Sequence, residues 1–399
     1  MTRQISERAA PSTALLGAGR SGNTVAQPIR RASTLLFDTV ADLDRAKAAR
    51  FDKGTEFYGR FGTRDVFAFE EAVSVLEGAE ASLAVPSGLA ACVLPFVAFV
   101  KPGDHVLIAD TAYEPARTSF VQYIARNNVE VEFYDPTIGA EISELIRPET
   151  RLIYLESPGS MTFEVQDIPA IAAAARARGV MTVCDNTWAT GYFCRPLALG
   201  ADISVQAATK YIVGHSDAML GTLSVADTEL LTPLRQAANW LGYHVSPDDV
   251  FLAARGLRTL PARLELHRTG ALEVASWMES RPGIRRVIHP GLSSHSGHAL
   301  WKRDFTGSTG LFAAVLDITD RAQAVRFVEA LRHFGLGFSW GGFESLTLLG
   351  DPSGARTATR WTETGTLCRF HIGLEAVADL IGDLDQALAS AGLGETVAA

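Results

Sequence analysis

Lys210 stands just after an apolar run, ADISVQAA over 201–208, and opens the segment KYIVGHSD. A lysine at the end of a buried strand is unfavourable unless its amine is paired, depressed in pKa or covalently used. Taken alone, it reads equally well as a surface lysine at a strand terminus. Asp185, 25 residues upstream, closes another apolar run, VMTVCD over 180–185. Its carboxylate is just as unexpected there. Together the two supply what pyridoxal phosphate (PLP) chemistry needs. The lysine offers an amine for a Schiff base, and the carboxylate keeps a pyridinium nitrogen protonated so that the ring withdraws electrons. No P-loop, GxGxxG, GxSxG or HExxH pattern accompanies them, so a nucleotide or zinc-protease reading lacks its usual motif.

A phosphate needs donors. Gly88 and Leu89 follow Pro86 and Ser87 at a turn that opens a helix, where unpaired backbone N–H groups favour an anion. Thr209 can add a hydroxyl, and Arg60, in Tyr58-Gly59-Arg60, a charge-assisted fork. Tyr113 is a candidate face for the ring. Each has a plainer alternative: a turn glycine, a capping hydroxyl, a solvated arginine, a half-buried tyrosine. His215, in a GHSD turn, reads as a residue that fixes the loop, and Trp188, Trp240 and Trp361 as packing residues.

The elements that must position these residues alternate. Apolar runs at 105–110, 129–134, 151–156, 180–185, 201–208 and 221–226 are separated by helix-like stretches such as IPAIAAAARARG over 168–179. Near-continuous apolar strands spaced by helices predict a mostly parallel sheet covered on both faces, with ligands at the carboxyl ends of its strands. Beyond residue 256, amphipathic helices at 271–281 and 321–334 and strands at 310–319 and 367–373 predict a smaller α+β unit. The expected organisation is an irregular N-terminal arm (1–60), a large cofactor-binding domain (61–255) and a small C-terminal domain (256–399).

The chain has 399 residues and a formal net charge of −9, which argues against a nucleic-acid partner. Residues 81–100 carry no charge and have the length of a membrane span. Pro86, Ser87, Gly88 and Pro95 break that stretch, so a strand, a turn and a buried helix are expected instead. The four cysteines form no CxxC pair and no zinc spacing, and the N-terminus has no apolar signal region. Buried free thiols, no metal and a cytoplasmic location are the expectation.

The motifs YGRFGT, DNTWATG, TKYIVGHSD, SWGGFESL and RFHIGLE, in this order along the chain, resemble the PLP-dependent cysteine/methionine metabolism family. The resemblance runs from about residue 30 to 390. It implies the fold type I, aspartate-aminotransferase-like architecture: a large domain with a mostly parallel sheet and a smaller α+β C-terminal domain. It makes Lys210 the Schiff-base lysine, Asp185 the partner of the ring nitrogen and Tyr113 the stacking ring. Gly88, Leu89 and Thr209 would hold the phosphate, with Tyr58 and Arg60 reaching it from a neighbouring subunit of a homotetramer. Arg369 would pair with the substrate carboxylate, and Ser339 and Trp340 would line the site, Ser339 positioning the lysine. Lys210, Tyr113 and Tyr58 are the candidates for proton transfer, and Tyr58 also for contact with the substrate.

Departures from the common family pattern narrow the reaction. Ala207 stands where many members have serine, and Gly159-Ser160 where many have an asparagine. Phe338 precedes Ser339, where γ-specific members often carry glutamate, and Glu114-Pro115 follows Tyr113. These features resemble the β-eliminating branch. They imply cleavage of cystathionine, an amino-acid thioether, to homocysteine, pyruvate and ammonia. A broad cysteine-S-conjugate or cystine β-lyase, a γ-lyase or γ-synthase, and a non-enzymatic PLP-binding regulator are the alternatives.

Overall fold

The computed structural model describes residues 9–20 and 22–393. Two sheets organise the chain. The first contains β1 (Ala81–Val85), β2 (His105–Ala109), β3 (Glu130–Tyr134), β4 (Thr150–Glu156), β5 (Met181–Asp185), β6 (Ile203–Ala207) and β7 (Gly221–Val225), in the order β1-β7-β6-β5-β4-β2-β3. The expected apolar runs are its strands. β7 alone runs antiparallel to its neighbours β1 and β6, whereas β3, β2, β4, β5 and β6 pair parallel. The second sheet has the order β10-β11-β12-β9-β8. Its strands are β8 (Ile284–Ile288), β9 (Leu311–Leu316), β10 (Gly335–Leu336), β11 (Leu346–Gly350) and β12 (Thr366–His371). Only β10–β11 is a parallel pair there.

The α-helices are α1 (Pro11–Gly17), α2 (Val40–Ala48), α3 (Arg64–Glu77), α4 (Gly88–Phe99), α5 (Glu114–Ser119), α6 (Ile168–Arg176), α7 (Thr190–Phe193) and α8 (Leu231–Trp240), followed by α9 (Pro247–Glu279), α10 (His298–Asp304), α11 (Arg321–Ala330) and α12 (Val377–Ser390). Starts follow sequence signals: the Ser87, Asp167 and Ser246 side chains accept from backbone N–H groups of α4, α6 and α9, and prolines occupy the first turns of α6 and α9.

Alternate residues of the first sheet enter different cores. Val106, Ile108, Leu152, Tyr154, Val183 and Val205 join one cluster with α4 and α8; Leu107, Ala109, Ile153, Leu155 and Cys184 join another with α3, α6 and α9. Burial on both faces is why these strands read as continuous apolar runs. The second sheet divides in the same way. Phe312, Ala314, Leu316 and Phe370 form their own core with α11 and α12, whereas Leu311, Ala313, Val315 and Leu367 pack into the first body's cluster. One face of β9 and β12 is therefore pressed toward the carboxyl ends of the first sheet.

Several local expectations need correction. The arm is not wholly irregular: α1 buries Leu15 against α3 and α9, and α2 is capped by Thr39. Pro95 lies inside α4 without ending it, because the helix is held by burial of Leu94, Pro95 and Phe96. The stretch expected at 271–281 is the second half of the 33-residue α9, which runs unbroken through 255/256. Its first half packs with the first body and its second half with the second sheet. Trp240 is 69% exposed, since it ends α8 on the solvent side, and is not a packing residue in this chain. No helix among the described residues is long and apolar enough to cross a membrane.

Candidate active site

Lys210 follows β6, its N–H bonded to the Ala207 carbonyl, and its side chain leaves the first sheet toward the second. Its Nζ donates to Ser339 Oγ at 2.5 Å and lies 5.3 Å from the centroid of the Trp340 ring. Burial, and then the positive charge of Arg369, lower its pKa to about 8, while Asp185 pulls the other way. Arg369, on β12, donates from Nη2 to the Ser339 carbonyl at 3.0 Å. Burial brings its pKa down to about 10, so it remains a cation at neutral pH. Ser339 adopts a left-handed φ of +78°, which points its hydroxyl at Lys210 and its carbonyl at Arg369.

Asp185 ends β5, buried. Its Oδ1 accepts from Thr187 N–H at 2.9 Å; its Oδ2 accepts from Tyr154 Oη at 3.3 Å and from Cys92 Sγ at 3.5 Å. Burial raises its pKa, and these donors counter the rise. In register beside it on β4 is Glu156, which accepts from Tyr113 N–H at 2.6 Å. Burial first, and the charge of Asp185 second, push the Glu156 carboxyl well above the carboxylate range. Burial thus disfavours charge on both carboxyls, and only Asp185 has several donors that favour its ionised form. Tyr113 follows β2 and is 43% exposed, and burial and the nearby acidic groups raise its phenol pKa.

The residues present fit a PLP. Gly88 and Leu89 are the first two residues of α4, whose N–H groups have no partner within the helix and collect the positive end of its dipole. A Cβ on Gly88 would stand 2.4 Å from the Ala207 Cβ. The glycine keeps this turn close to β6 and to Lys210. The methyl of Ala207, where many members of the resembled family have serine, is the group that fills this contact. A buried carboxylate, an amine of depressed pKa and a helix N-terminus are the donor set that a pyridinium, an aldehyde and a phosphate would meet.

Lys210, Asp185, Tyr113, Ser339, Trp340 and Arg369 come together, with Gly88 and Leu89 beside β6. Thr209 is adjacent, but its hydroxyl already bonds to Leu220, accepting from N–H at 3.0 Å and donating to the carbonyl at 3.2 Å. Tyr58 and Arg60 are not brought to this chain's own Lys210. Arg60 bonds to Asn239 and lies over Phe61, and Gly59 is bonded to Ser33. His215 bonds to the Val213 carbonyl within its turn. All four cysteines are buried and free.

Sequence reasoning missed the partners that lie far apart in the chain. Cys92 and Tyr154 are hidden within apolar runs. Asp110 closes β2 and accepts from the N–H groups of Thr357, Ala358 and Thr359 and from Arg117 Nη1 at 2.8 Å. It ties the β11–β12 connection to the strand end that precedes Tyr113. A residue set of metal-ligand type, His105, Glu130 and Glu132, lies at the opposite, amino ends of β2 and β3, where Arg147 pairs with both glutamates. It is not part of this site.

Residues 12–389 match the family described as Cys/Met metabolism PLP-dependent enzyme. The chain is 43% identical to the cystathionine beta-lyase of Salmonella typhimurium, over 93% of this chain and 96% of the relative. It is also 37% identical to an L-alanine/L-glutamate racemase of Wolbachia pipientis, over 94% and 96%. Among solved structures, metB from Corynebacterium glutamicum superposes with a TM-score of 0.88 at 30% identity, over 96% of this chain and 98% of the other.

Proposed function

The chain belongs to the Cys/Met metabolism PLP-dependent enzyme family, of fold type I, and we propose that it is a carbon–sulfur lyase that eliminates homocysteine from L-cystathionine. The observation that carries this reading is the Lys210–Ser339–Arg369 chain of contacts, which sets a depressed-pKa amine beside a cation suited to an α-carboxylate. The name of the Salmonella typhimurium relative and Phe338, an apolar residue in place of a γ-branch glutamate, support the β rather than the γ position.

In this reading Lys210, Asp185, Tyr113, Gly88 and Leu89 hold the PLP, joined by Thr209 once its hydroxyl turns from the Leu220 carbonyl, and the PLP supplies an electron sink for charge developing at the substrate Cα. Arg369 binds the α-carboxylate and so fixes which Cα bond faces Lys210. Lys210 removes the Cα proton; near pH 8 its amine is balanced between base and acid and can return that proton to the departing sulfur. Asp185, held by Thr187, Cys92 and Tyr154, keeps its negative charge where a ring nitrogen must stay protonated. Trp340 covers the amine against water. Exposed Trp240, Met219 and Phe338 support burial against other subunits, and Tyr58 and Arg60 act in a neighbour's site of a cytoplasmic homotetramer.

The test is a product assay on L-cystathionine, with cystine, L-alanine and L-glutamate as comparison substrates. Pyruvate and homocysteine are expected. Cysteine and 2-oxobutyrate would replace the reading by a γ-lyase, and racemised amino acid without elimination would replace it by the racemase activity of the other relative.

A further inference from the structure

Behind Lys210 lies a buried imidazole for which the reaction above has no use. His371 is the last residue of β12, two positions after Arg369, and so rises from the same face of that strand. Its ring is packed among Tyr211, at 5.9 Å between centroids, and His267, at 5.2 Å. Nε2 faces the N–H of Gly341 at 3.1 Å and the carbonyl of Gly342 at 3.0 Å. One nitrogen cannot serve both at once: it accepts from Gly341 in one neutral tautomer and donates to Gly342 in the other. In either, it grips the turn that follows Ser339.

That turn has little freedom of its own. Gly341 has a φ of +88°, and a Cβ there would stand 2.9 Å from the Lys210 carbonyl carbon and the Tyr211 nitrogen. The turn therefore lies directly on the backbone of the lysine. β12 holds it at both ends, Arg369 through the Ser339 carbonyl and His371 through Gly341 and Gly342. We propose that His371 is a positioning residue that locks the Ser339–Gly342 turn, and through it the Ser339 hydroxyl, against the Lys210 amine.

Histidine suits this place because it can hydrogen-bond without adding charge. Lys210, Arg369 and His267 all face it, and burial together with these neighbours lowers its pKa to about 3. A permanent cation here would be a third positive group beside the amine. An apolar residue would leave the turn ungripped.

The inference rests on Lys210 being the reactive amine, so its test does not use turnover. The full chain, with PLP, is titrated through the absorbance of its lysine-bound cofactor. In parallel, labelling of Lys210 by trinitrobenzenesulfonate in the full chain freed of cofactor is followed against pH by peptide mass. The labelling arm reports on Lys210 even if no PLP is taken up, an outcome that would defeat the cofactor reading and not this one. H371L, similar in volume, should lower the Lys210 midpoint and speed labelling at pH 7 about threefold, whereas H371Q, which retains a polar group at that reach, should keep the wild-type midpoint. In an S339A background, H371L should add no further change. Should H371L not fold, H371N, too short to reach the turn, takes its place. A wild-type midpoint in H371L (or in H371N where it stands in), or an equal drop with and without Ser339, would overturn the proposal.

Discussion

Removing the Ser339 hydroxyl should make Lys210 a better nucleophile at neutral pH while making the enzyme slower. The fall of the lysine pKa from 10.5 to about 8 corresponds to about 3 kcal/mol against the charged amine. Ser339 Oγ, at 2.5 Å, accepts from Nζ and so favours the charged form. Hydrogen bonds to charged groups contribute about 1.5–3 kcal/mol, and the lower end of that range is about one pH unit. S339A should therefore move the Lys210 midpoint from about 8 to about 7. At pH 7 the neutral fraction rises from about one in ten to about one in two, a gain of about fivefold. The assay is the rate at which protein freed of cofactor recaptures PLP, measured between pH 6 and 10, because only the neutral amine bonds to an aldehyde. S339A should capture about fivefold faster at pH 7, with no difference near pH 10. Turnover should fall, since the amine is no longer aimed. A midpoint that stays at about 8, or rises, would refute the idea that Ser339 stabilises the charged amine.

Arg369 acts on the same midpoint with the opposite sign: R369L removes a nearby positive charge and should raise the Lys210 midpoint above 8, while KM for the amino-acid substrate rises about tenfold or more through loss of a charge-assisted contact. D185N should keep its PLP but lose about a hundredfold in kcat, and a variant of near-normal kcat would show that no ring-nitrogen partner is needed there. D110N should lower stability by about 3 kcal/mol, because Arg117 is left with a neutral partner and the β11–β12 connection loses its anchor. Burial alone would raise the Asp110 pKa, but the donors on Thr357 and Thr359 and the charge of Arg117 hold it below 3.8. Its contribution is then complete above the ordinary carboxyl pKa and fades as pH falls below about 4. The difference in melting temperature between D110N and wild type should shrink in that range, and a gap unchanged in acid would show that packing, not charge, holds the loop.

The strands of the first sheet were legible because burial on both faces makes each an unbroken apolar run, and polar residues at their ends then stand out. Lys210 and Asp185 carry that signal. The partners that tune them do not. Tyr154 sits within RLIYLE and His371 within RFHIG, where a polar atom on an apolar strand gives no hint of what it faces. Asp110 reads as a strand end, and its anchor loop lies 247 to 249 residues away. Local pattern sets which face a side chain occupies, not which distant segment meets that face. The same limit hid the antiparallel sense of β7, since a buried strand of either direction has the same composition.

Burial does more in this site than exclude water, because it selects which groups keep a charge. Glu156 is pushed toward its neutral acid, the Tyr113 phenol stays protonated, and His267 and His371 fall to about 4 and about 3 and remain neutral imidazoles. Arg369 on β12 stays a cation, Asp185 on β5 is the carboxyl whose donors favour its charge, and Lys210, with a pKa of about 8, lies between them. Each strand comes from a different sheet, so the anionic end belongs to the first body and the cationic end to the second. Under the proposed function, a zwitterionic amino acid with its carboxylate on Arg369 would be drawn across the interface, its Cα carried toward Lys210. With so few charges in a low-dielectric setting, each one moves the lysine midpoint measurably. R369L and D185N should therefore shift that midpoint in opposite directions, up and down, and a shift of the same sign in both would mean that solvation, not these two charges, sets the amine.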